Sequence, residues 1–216
     1  MAIPERLKAV PAVALAFGIG AGLLGLEHGF FELIQGNVAP AGPGISAIGP
    51  PCQPATAWHA CEPAFTVIPN FLVTGLLAMA AAIAVLTWAA GFLGRGHAAP
   101  IFLGLTGALF LVGGGFVTLI FCLIAVIAAA QIDSPLTWWR THLPRASVRI
   151  LSTLWPWILV AYLTWDVASW VIGSFANDLM LRVTPAVTAM TPFLLVLILV
   201  VSFAHDIRPG IGDDPD

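Results

Sequence analysis

The stretch APIFLGLTGALFLVGGGFVTLIFCLIAVIAAA, residues 99–130, decides how this chain is drawn. It carries no charge, and Gly113, Gly114 and Gly115 stand together near its middle. Hydrocarbon about 30 Å thick is crossed by roughly 20 apolar residues in a helix. Read as one element, the stretch spans with room to tilt or to break at the glycines. Read as a re-entrant segment, it changes the side on which every later loop falls.

The surroundings set the class. The chain has 216 residues, 59% of them hydrophobic and only 9% charged, against roughly 25% charged in a soluble domain. The expected fold class is therefore all-α, a polytopic integral membrane protein. A single bundle over residues 1–206 holds about five transmembrane helices, near 9–34, 65–93, 99–130, 150–175 and 184–204. A Pro/Gly-rich cap loop, 36–65, follows the first, and 207–216 is expected to be a flexible acidic tail. The strand alternation of an outer-membrane barrel is absent, and no internal repeat is visible. The first apolar run is too long for a signal peptide and lacks a small-residue cleavage site.

Charge leaves orientation balanced. With five crossings, Arg6, Lys8, Arg95 and Arg182 fall on one side, and Arg140, Arg145, Arg149 and Arg208 on the other, so the positive-inside rule returns a tie. The cap loop has no Lys or Arg and contains Cys52 and Cys61. Those cysteines are close enough for a short disulfide in an oxidising compartment. Both features favour a cytoplasmic N-terminus in the cell membrane. A re-entrant stretch at the triple glycine would remove the tie.

The polar chemistry begins in GLEHGFFELIQGN, residues 25–37. Around a helix, Gly18, Gly22, Gly25 and Gly29 share one strip that invites close approach of another helix. His28, Glu32 and Gln35 form a second strip a quarter-turn away, and Glu27 points nearly opposite the glycines. His28 and Glu32 are four apart, so their side chains can meet. An ionised carboxylate facing lipid costs about 3 kcal/mol on insertion scales and more by simulation. Glu32 is thus expected to be neutral, paired with protonated His28, bound to a cation, or placed at the wet end of its helix. Glu27, His28, Glu32 and Asp166 are the candidates for ion or proton binding. Asp166 is the deepest carboxylate, within YLTWDVASW (162–170), and has no basic neighbour in its own segment. Gln35 and Asn70 are expected to make polar helix contacts.

His59 and Glu62 close the cap loop on the same side as His28 and Glu32. Two imidazoles and two carboxylates suit zinc or another divalent transition metal, so His28, Glu32, His59 and Glu62 form a candidate metal set. Neither HExxH nor an ExxH repeat accompanies them; a disulfide-stapled cap is the plainer alternative. Trp138, Trp139, Arg140, Arg145 and Arg149 read as contacts to lipid headgroups. The only lysine is Lys8, which excludes a retinal Schiff base inside the bundle. A net charge of −3 leaves no basic surface for nucleic acid.

Three functions fit. The first is proton- or cation-coupled transport, carried by the intramembrane carboxylates and histidine. The second is an accessory or structural subunit of a larger membrane complex, with membrane lipids and either further copies or other subunits as partners. The third is a membrane enzyme whose outer His/Glu site, with or without metal, acts on a lipid-like substrate.

Overall fold

The computed structural model describes residues 8–46, 58 and 61–208. Among them run α1 (Ala9–Gln35), β1 (Gly44–Ser46), β2 (Pro63–Phe65), α2 (Phe71–Gly91) and α3 (Ala98–Leu111). They are followed by α4 (Phe116–Ala129), α5 (Thr137–His142), α6 (Arg145–Phe175) and α7 (Asn177–Ile207). The protein is mostly helical, and α1, α2, α6 and α7 are each long and apolar enough to cross a membrane. The tail beyond Arg208 lies outside the described residues.

The 99–130 run is not one helix. It is a hairpin of α3 and α4, each 14 residues, or about 21 Å long at 1.5 Å per residue. Three observations fix the turn. Gly113 and Gly115 have φ of 102° and 84°, values that suit glycine and end a right-handed helix. Methyl groups on Gly18 and Gly20 of α1 would stand 3.4 Å from Phe102 of α3 and 3.0 Å from Phe121 of α4, so both helices lie against the same turn of α1. The first residues of α3 and the last of α4, Ala98 and Ala129, line one cavity of about 350 Å³. The single span expected over 99–130 is thereby corrected: the three glycines reverse the chain.

This reversal sorts the bundle into two ends. At the basal end, the Ala9 and Val10 N–H groups donate to the two carboxylate oxygens of Asp206 at 2.7 and 3.0 Å. Asp206 thus caps α1 with a charge that suits a helix N-terminus, tying the first helix to the last. Nearby, His205 Nδ1 lies 3.0 Å from the Ser152 carbonyl oxygen, Trp139 of α5 packs on Phe203, and the Trp88 indole donates to the Ala98 carbonyl. At the cap end, the backbone N–H of Trp58 donates to Asn177 Oδ1 at 2.8 Å. Trp58 also packs on Trp170, so the cap reaches the α6–α7 turn.

Helix α1 is the axis of the fold. Its glycine strip faces α2: Gly18 lies against Ala89, Gly22 against Leu86, and Gly25 against Ala82 and Leu109. At Gly75 the two backbones come together: a methyl group there would stand 2.5 Å from the Leu33 nitrogen and 2.6 Å from the Gly29 carbonyl oxygen. Such backbone contact gives helices in lipid their dispersion energy. Phe17, Phe121 and Tyr162 stack across α1, α4 and α6 to fill the centre.

Helices α6 and α7 begin earlier than their apolar runs suggest, at Arg145 and Asn177. Apolar length marks where hydrocarbon lies, whereas a helix continues through the headgroup layer wherever its polar turns remain solvated. Pro185 and Pro192 interrupt the hydrogen-bond ladder of α7. The threonine preceding each returns a bond, Thr184 to the Met180 carbonyl and Thr191 to the Val187 carbonyl.

Candidate functional site at the tip of the helical hairpin

The second strip of α1 meets the α3–α4 turn. His28 is 1% exposed and Glu32 is fully enclosed. Gly113 lies directly over the Glu32 carboxyl and Gly115 over the His28 ring, so that a Cβ on either glycine would fall on those side chains. The glycines therefore serve twice: they allow positive φ, and they leave the space that the two polar groups occupy.

The cap closes the site from the other side. β1 and β2 pair antiparallel, with Ile45 opposite Ala64, and Glu62 immediately precedes β2. Its Oε2 lies 3.1 Å from His28 Nε2, with both groups buried. The proton of this bond resides either on the imidazole, which then donates to the carboxylate, or on the acid, which then donates to the ring. The next residues hold the hairpin turn in place. The Val67 N–H donates to the Leu111 carbonyl at 2.9 Å, and the Thr74 hydroxyl donates to the Val112 carbonyl at 2.7 Å. Thr66 and Thr74 hydroxyls are themselves 2.6 Å apart, and Phe65 stacks on Phe110.

What distinguishes the centre is incomplete pairing. Among the described residues neither oxygen of Glu32 has a hydrogen-bond partner, and the same holds for His28 Nδ1 and for the Thr118 hydroxyl in the first turn of α4. Buried polar groups are overwhelmingly paired, and an unpaired one costs from about 1 to several kcal/mol. A carboxyl in this position is satisfied by a proton, a cation or a water molecule. The site thus sets a His–Glu pair at its cap side and a carboxyl behind it.

The other sequence candidates separate from this centre. Glu27 is half-buried on α1 and lies outside the enclosed pair. Asp166 is half-buried on α6, one turn beyond the buried Tyr162. Gln35 donates toward the Phe31 and Ser46 carbonyls, tying α1 to β1. Asn70 caps α2 by accepting from the Val73 N–H and donates to Asn37, a local role rather than a bond across the bundle. Cys122 is a buried free thiol. His59 and Cys52 lie outside the described residues. Among the described residues no group of three or more His, Cys, Asp or Glu is arranged to hold a metal ion.

Sequence reading did not identify Gly113 and Gly115 as walls of the site, nor the Thr66–Thr74 pair as its brace. The triple glycine was a signal for a break; its docking onto His28 and Glu32 had none. Comparison with protein families, characterised proteins and solved structures gives no match to this chain. The functional reading accordingly rests on this geometry.

Proposed function

We propose that this is a small multi-pass membrane protein that moves protons or cations across the bilayer, with Glu32 as the carrier group and His28–Glu62 as its connection to the cap side. The observation that carries the reading is the Glu32 carboxyl, enclosed at the hairpin tip with both oxygens unpartnered among the described residues. Ionisable groups kept inside a membrane bundle are costly and by default mark ion or proton sites. Helical hairpins whose unwound turns meet a carboxylate suit this task, because the open backbone and the acid together receive a charge that lipid would refuse.

The hairpin also supports an orientation. Once 99–130 turns back, Arg95, Arg140, Arg145, Arg149 and Arg208 belong to the basal end, and Arg6 and Lys8 precede α1 there in sequence. Arg182, in the first turns of α7, is the one basic residue of the eight near the cap end. By the positive-inside rule this distribution supports a cytoplasmic basal end and N-terminus. The cap faces outward, where a Cys52–Cys61 disulfide would hold Glu62 against His28. No residue in 181–194 of α7 is buried, which favours an assembly in which a second copy or another subunit covers that stretch.

Flux tests the proposal. In sealed vesicles carrying the purified protein, an imposed proton or cation gradient is expected to collapse much faster than in empty vesicles. Glu32→Gln is expected to return the rate to background, and Glu62→Gln to slow it. No flux in the parent, or unchanged flux in a folded Glu32→Gln variant, overturns the reading.

A further inference from the structure

The basal corner between α5 and α6 carries chemistry that the enclosed centre does not use. Helix α5 is held from beneath. Leu136 is buried and Trp139 packs on Phe203, so the opposite face, with Trp138 at 58% exposure, is presented outward. Arg140 is exposed, and its Nε donates to the Pro135 carbonyl at 2.9 Å. That bond fixes the stem, and the terminal nitrogens have no partner among the described residues. Arg145 and Arg149 are exposed in the first two turns of α6, four residues apart and on one side of it.

Along residues 134–165 charge has one sign. No Asp or Glu occurs in residues 134–165. Among the described residues, the acids at this end include Asp133, exposed before α5, and Asp206, whose carboxylate is occupied by the N-terminus of α1. Behind the corner, Arg208 donates to Ser152 Oγ at 3.2 Å and adds a further positive charge. Below the arginines, α6 turns apolar on the same exposed side: Ile150, Trp157 and Val160 are 63%, 74% and 58% exposed. Val160 is three turns below Arg149 and nearly in line with it, at 100° per residue.

We propose that this corner is a binding site for an anionic phospholipid, the phosphate held by Arg140, Arg145 and Arg149 and one acyl chain laid along Ile150, Trp157 and Val160. The order of the chemistry along α6, cationic and then apolar over about the depth of a lipid, matches one amphiphile. Guanidinium forks suit phosphate oxygens, and the exposed tryptophan suits the headgroup layer. A zwitterionic lipid has a compensating ammonium and gains less from three cations.

The test uses the full chain, freed of lipid in neutral detergent and titrated with phosphatidylglycerol or with phosphatidylcholine of the same acyl chains; binding is read by tryptophan fluorescence and by native mass spectrometry. Phosphatidylglycerol is expected to bind about 10-fold or more tightly. Each single change, Arg140→Gln, Arg145→Gln or Arg149→Gln, is expected to weaken it about fivefold, and all three together roughly 100-fold, the scale of surface arginines near anionic lipid. Arg182→Gln at the other end is expected to leave it unchanged. All these arginines are exposed, so the single variants remain informative should the triple variant fold poorly. Equal affinity for the two lipids, or an undiminished preference in every single variant, overturns the proposal.

Discussion

Gly113→Ala is expected to destabilise the protein by roughly 2–6 kcal/mol, while Gly107→Ala, six residues earlier, leaves it unchanged or slightly more stable. Two costs add at Gly113. A Cβ at φ of 102° strains the backbone by about 1–3 kcal/mol, and the added carbon lands on the Glu32 carboxyl, an overpacking worth another 1–3 kcal/mol. Gly107 is within α3 and open space surrounds its Cβ position, so alanine there meets neither cost and gains helix propensity. Thermal unfolding in detergent, followed by tryptophan fluorescence, gives the comparison. The double variant Gly113→Ala/Glu32→Ala is expected to regain the steric part and retain the backbone part. A Gly113→Ala protein as stable as the parent would show that the hairpin tip does not rest on Glu32.

The second large effect has the opposite sign. Glu32→Leu is expected to raise stability by about 2 kcal/mol or more while abolishing flux. Glu32 is enclosed, and its oxygens lack protein partners among the described residues, so that even with a proton, a cation or a water molecule on it the buried carboxyl is a cost to the fold. An apolar side chain of similar size removes that cost. Proteins keep such groups where function requires them, and replacing them exchanges activity for stability. The melting midpoint and the vesicle flux, measured on one preparation, decide the matter. A Glu32→Leu variant that melts well below the parent would mean that Glu32 contributes structurally, and the transport reading would lose its main support.

Much of the architecture was legible because lipid imposes strict rules on sequence. The runs that became α1, α2, α6 and α7 could be read from length and apolarity alone, since a span in hydrocarbon satisfies its backbone internally. The α1 glycine strip likewise pointed to the close approach of a neighbour. The His28–Glu62 contact was less accessible. It joins groups 34 residues apart through a cap whose path depends on β1–β2 pairing and on Val67 and Thr74 gripping the hairpin turn. No local periodicity encodes those bonds. The fate of 99–130 was ambiguous for a different reason. Three glycines permit both a kinked span and a reversal, and only the partners of the turn choose between them. Charge held a hint, because a single crossing at 99–130 divides the basic residues equally while a reversal gathers seven of the eight at one end.

That reversal is the premise on which the site, the orientation and the lipid corner all depend, and side-specific labelling tests it directly. With Cys52 and Cys61 replaced by serine and the buried Cys122 by alanine, single cysteines are introduced as Arg95→Cys before α3, Asp133→Cys after α4 and Ala39→Cys in the cap. All three positions are exposed. Sealed right-side-out and inverted vesicles are then treated with a membrane-impermeant maleimide. Positions 95 and 133 are expected to react from the same side, and position 39 from the other. Labelling of 95 and 133 from opposite sides would restore an uninterrupted span over 99–130 and contradict the account.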